Sequence, residues 1–151
     1  MTSLENLSAP EPDGSASGLW PTTTRRIDGE LHIGGLGVTS LVSEFDSPVF
    51  VIDELDMRQR ARAWKQAMDE AFEDLAGAEV FYAGKAFLSV TVARWMVEEG
   101  LSLDTCSEGE LRVALAAGVP GEKLGLHGNN KSRREIELAL DNDVAHLVVD
   151  S

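Results

Sequence analysis

Cysteine is almost absent from this sequence: Cys106 stands alone, so no intrachain disulfide can form, and the composition suits a reducing compartment, the cytoplasm by default. Basic residues are also scarce. Thirteen Lys and Arg face 26 Asp and Glu, for a formal net charge of −13, and such a molecule is repelled at long range by nucleic acid and by anionic membrane surfaces. No apolar run approaches the roughly 18 residues of a membrane span, and Met1 to Asp13 lack the basic and apolar regions of an export signal. No cluster has metal-ligand spacing, and no phosphate loop of a familiar kind occurs. The Gly-rich IGGLG (33–37) is expected to be a turn with no helix after it. What remains is a chain of 151 residues, 43% hydrophobic, enough for one core or part of one.

Residues 1–26 are rich in Ser, Thr, Pro and Gly and have little to bury, which predicts a disordered tail. Residues 27–48 form a short β-leaning lead-in, with LHIGGLGVTSLV (31–42) as a small strand or turn element. A regular pattern follows. VFVID (49–53) and EVFYAGK (79–85) read as strands, and between them Leu55, Ala61, Trp64, Met68, Ala71, Phe72 and Leu75 recur at helical spacing. LSLDTCS (101–107), KLGLHGN (123–129) and HLVVDS (146–151) continue the alternation. Ser107 with Glu110 and Ser132 with Glu135 match capping boxes, while Gly100 and Gly118 sit where helices end.

The strand ends Lys85, Ser107, Asn129 and Ser151 each lie 22 residues after the one before. Strands that alternate with helices run parallel, and apolar runs without clean alternation imply a sheet covered on both faces, as in a barrel or a doubly wound fold. In either, the C-terminal strand ends gather where ligands bind. Lys85, Asp104 to Ser107, His127 to Asn130 and Asp150 to Ser151 are therefore expected on one face. Lys85 is open to two readings: a solvated lysine at a strand end, or a Schiff-base lysine made nucleophilic by partial desolvation. Asp104 reads as a cap or as a functional carboxylate, and Cys106 as a small buried filler or a functional thiol. His127 with Asn129 and Asn130 offers hydrogen-bond donors to a cofactor. His32 and His146 are assigned no role.

YAGKAFL (82–88), LDTCSEGEL (103–111), LHGNNKS (126–132) and HLVVDS (146–151), preceded by SPVFVIDE (47–54), resemble the successive strand ends of the diaminopimelate decarboxylase family. The resemblance implies that residues 49–151 are the N-terminal part of a (β/α) barrel that binds pyridoxal phosphate. It implies that Lys85 forms the Schiff base, that Asp104 lies near it, and that His127 and Asn129 stand beside the cofactor. The implied reaction removes CO2 from meso-2,6-diaminopimelate to give L-lysine, on a small-molecule amino-acid substrate in a homodimeric complete enzyme. About half the barrel is expected here, so the chain reads as a fragment, inactive alone. Two alternatives remain: a non-catalytic barrel module, or a decarboxylase of ornithine, arginine or carboxynorspermidine.

Overall fold

The structure, a computed structural model, describes residues 20–75 and 77–149, and the chain divides into two compact units, Met1–Gln59 and Arg60–Ser151. In the first unit, β1 (Arg25–Ile27), β2 (Glu30–Ile33) and β3 (Leu36–Gly37) pair antiparallel in order. Asp28-Gly29 and Gly34-Gly35 make the two turns, all four at positive φ, the backbone that matches strand twist in two-residue hairpins. IGGLG is thus a turn, as expected, but a helix does follow it: α1 (Val38–Phe45). Its cap residue Gly37 offers no side chain, and the Glu30 carboxylate instead accepts from Thr39 N at 2.9 Å. This external carboxylate at the positive helix end lets a β-branched segment start a helix.

The expected tail lies outside the described residues for residues 1–19. From Trp20 on the chain is structured, with Thr24 buried and β1 beginning at Arg25. Residues 49–53 are not a strand. They carry no ladder, and Phe50 is 95% exposed. A strand needs a hydrogen-bonding partner as well as β-branched residues, and no described strand pairs with this segment. Asp53 instead caps α2 (Glu54–Ala71), accepting from Asp56 N at 2.9 Å, and the buried Asp56 accepts from Thr22 N.

In the second unit, β4 (Phe81–Ala83), β5 (Ser102–Thr105), β6 (Leu124–Leu126) and β7 (His146–Leu147) form a parallel sheet in chain order. The helices α3 (Val90–Glu98), α4 (Glu108–Ala116) and α5 (Arg133–Asp141) alternate with the last three strands. α3 packs on β5, α4 on β5 and β6, and α5 on α4. Left-handed Gly100 and Gly118 end α3 and α4, with Leu101 N returning to Met96 O and Val119 N to Ala114 O. Ser132 and Glu135 form the complete capping box of α5. Ser107 caps α4, but Glu110 turns its carboxylate to Cys106 N at 2.6 Å rather than to Ser107 N.

Register decides what each face carries. Ala83, Asp104, Gly125 and His146 lie in one row across the sheet, and Leu103 and Leu124 in the next. Successive residues alternate faces, so the leucines face the helices while Phe81, Ala83, Ser102, Asp104, Gly125 and His146 share the other side. This cleaner alternation corrects the expectation from sequence. Leu103, Leu111, Leu124, Leu126 and Met96 are fully buried, each contributing about 1.5–3 kcal/mol. On that side the rings of Phe81 and His146, from β4 and β7, meet edge to face with centroids at 5.5 Å. They do so over Gly125, where an added Cβ would lie 3.6 Å from Phe81 and 3.8 Å from His146.

Candidate active site at the C-terminal strand ends

Lys85 lies in a 3-10 turn, Gly84–Ala86, just after β4. The backbone of β4 stops at Ala83, paired with Asp104, and Gly84 is buried where a Cβ would come within 3.1 Å of Asp104 O and 3.3 Å of Leu88 Cδ2. Glycine lets the turn pass this close to β5. Tyr82 Oη donates to Phe87 O at 2.7 Å, and Ser89 caps α3 two residues further on. Lys85 itself is exposed, and its ammonium makes no hydrogen bond or ion pair among the described residues.

Asp104 lies on the face of β5 away from the leucines, and its Oδ2 lies 3.4 Å from His127 Nδ1. His127 follows β6 and is fixed by its own N–H, which donates to Thr105 O at 2.7 Å. Cys106 reports on the neighbourhood. Burial pushes its thiol pKa up, the Asp104 and Glu110 carboxylates push it further, and the Lys85 ammonium opposes them. Lys85, Asp104, Cys106, Glu110 and His127 therefore share one place. Asn129 is exposed in the bend after β6 and its side chain makes no hydrogen bond among the described residues. Asp150 and Ser151 lie outside the described residues. Glu110 was legible only as a helix cap, because its turn toward Cys106 N depends on the packing of the β5 end.

Lys131, the other lysine near these strand ends, donates to Gly128 O at 2.6 Å and to Val148 O. Its ammonium is committed to tying the β6 end to the β7 end. Lys85 is the available amine.

Parallel strands alternating with helices, and an amine at the C-terminal strand ends, fit part of a (β/α) barrel, whose ligands gather at that end. A family profile agrees with this class. The profile for the pyridoxal-dependent decarboxylase, pyridoxal binding domain, matches residues 54–151, and the chain belongs to that family. The diaminopimelate decarboxylase of Mycobacterium tuberculosis is 48% identical over 137 residues, covering 90% of this chain and 29% of that protein. That of Bacillus subtilis is 43% identical over 130 residues, covering 86% and 29%. Among solved structures, diaminopimelate decarboxylase from M. jannaschii in complex with L-lysine superposes with a TM-score of 0.80 at 26% identity, over 87% of this chain and 30% of that one. A lysine/ornithine decarboxylase from Vibrio vulnificus with putrescine gives 0.65 at 27% identity, over 76% and 30%. The chain spans less than a third of the length of these curated relatives.

The family's cofactor is pyridoxal phosphate, and the residues present fit one end of it. An unpaired primary amine on a braced turn suits the aldehyde. The Asp104 and Glu110 carboxylates beside it are ill suited to a phosphate, which therefore needs residues other than these.

Proposed function

We propose that this chain is part of a decarboxylase acting on meso-2,6-diaminopimelate and releasing L-lysine, with Lys85 as the residue that holds the cofactor. The observation that carries this reading is the free Lys85 ammonium beside the Asp104–His127 pair, set against the committed ammonium of Lys131. The 43–48% identity to diaminopimelate decarboxylases supports the substrate.

When bound, pyridoxal phosphate supplies the electron sink for the pair left behind as CO2 departs. The rest falls to the protein. Lys85 Nζ would hold the cofactor by its aldehyde, and as a free amine it could hold or return the proton that replaces CO2. Asp104 keeps His127 oriented, and His127 and Asn129 stand beside the cofactor. The complete enzyme is a cytoplasmic homodimer in this reading, in keeping with the lone cysteine and the acidic composition.

A second reading is decarboxylation of ornithine, arginine or carboxynorspermidine, which the likeness to the V. vulnificus enzyme keeps open. A third is a non-catalytic barrel module. Assay of the full-length protein on each amino acid separates them. The expected result is lysine from diaminopimelate, with turnover lost in Lys85→Ala and kept in Lys131→Ala. Preference for ornithine or arginine establishes the second reading, and no turnover on any substrate the third.

A further inference from the structure

We infer that Tyr82 is a positioning residue for Lys85, acting through the carbonyl of Phe87. This rests on Lys85 being the residue that captures the cofactor. Between the last ladder pair of β4, at Ala83, and the Ser89 cap of α3, the chain must reverse within a few residues while presenting Lys85. The 3-10 turn is only three residues long, and Lys85 contributes no bond of its own to hold it. Tyr82 lies on the helix side of β4, opposite to Ala83, and its hydroxyl reaches over the turn to Phe87 O at 2.7 Å. That bond closes a six-residue loop, Tyr82 to Phe87, with Lys85 inside it.

The ring is half-buried, lining a cavity of about 510 Å³ with Trp64, Met68, Val80 and Ala86. Burial pushes its pKa up, so the hydroxyl stays protonated and able to donate to Phe87 O near neutral pH. Gly84 pins the inner side of the same turn against Asp104 O. The turn that carries Lys85 is thus held from two sides.

The test uses the full-length protein and pyridoxal phosphate. Tyr82→Phe removes the donor and keeps the ring, so the thermal midpoint of the cofactor-free protein should fall by no more than a few degrees. Covalent capture on Lys85, read by borohydride reduction and peptide mass spectrometry, should slow by about three- to tenfold, the effect of one lost hydrogen bond. Deuterium uptake should rise in the peptide spanning residues 84–88 and nowhere else. Capture and uptake at parent levels in Tyr82→Phe would overturn the inference while leaving Lys85 in its role. Label that persists on another lysine in Lys85→Ala overturns the cofactor assignment, and the inference with it.

Discussion

Replacing Gly84 by alanine tests whether the approach of the Lys85 turn to β5 matters for both stability and function. The new Cβ would sit 3.1 Å from Asp104 O and 3.3 Å from Leu88 Cδ2, with Glu110 Oε2 at 3.7 Å. A flexible side-chain tip could swing away from such a contact, but Asp104 O belongs to a paired backbone with β6 on its far side. The turn must therefore move. Overpacking of this kind costs about 1–3 kcal/mol, and a reactive group displaced by about 1 Å can lose on the order of 10²-fold in rate. Gly109 is the internal control. It lies in α4, where an added Cβ meets only Ser107 Oγ at 3.9 Å, and Gly→Ala there should stabilise by up to about 1 kcal/mol. Thermal unfolding of the full-length protein should move in opposite directions for the two variants, and cofactor capture should fall only in Gly84→Ala. A Gly84→Ala protein that melts and captures like its parent would refute the steric argument.

Gly121→Ala should destabilise more severely, because its Cβ would collide with the backbone oxygens of Asn142 and Asp143 ahead of β7; the denaturation midpoint reads this, and a parent-like value contradicts it. The Glu135 carboxyl is held below its ordinary range by the N–H of Ser132, then by its hydroxyl and by Glu108 N–H. A depressed folded value means its stabilisation is complete above the unfolded pKa of about 4.3 and fades as pH falls through the lower folded value. The gap in thermal midpoint between parent and Glu135→Gln should accordingly shrink on acidification, and a constant gap would contradict the sign. Residues 1–151 expressed alone should self-associate, since Phe50, Trp64, Leu75 and Val149 are exposed and the outer edges of β4 and β7 are unpaired among the described strands. A monomer by light scattering with a cooperative melt would refute this.

The βα alternation and the helix signals at Ser132, Gly100 and Gly118 were legible in the sequence because each is a local event within one turn of chain. The strand at 49–53 was misread because propensity is local while pairing is not. The helix after IGGLG was missed for the reverse reason: VTSLV leans toward strand, and the carboxylate that starts α1 comes from Glu30, seven residues before Gly37 in the chain. For the site, Lys85 and Asp104 were placed by strand register. The pairing of Asp104 with His127 was not visible, since it depends on how β5 and β6 align. His146, assigned no role, meets Phe81 across the sheet over the bare Gly125, a contact that no spacing along the chain encodes.

Each strand of the second unit pairs with the one made just before it, in the order β4, β5, β6, β7. A nascent chain emerging from the ribosome at about 5–20 residues per second therefore never has to wait for a distant segment to complete a ladder. β5 has β4 ready as its template, and α3, synthesised between them, is available to cover the leucine face as soon as it forms. The Lys85 turn is among the first parts of the site to take shape, braced by Tyr82 and Gly84 from the moment β5 docks, so the reactive amine is placed before most of its surroundings exist.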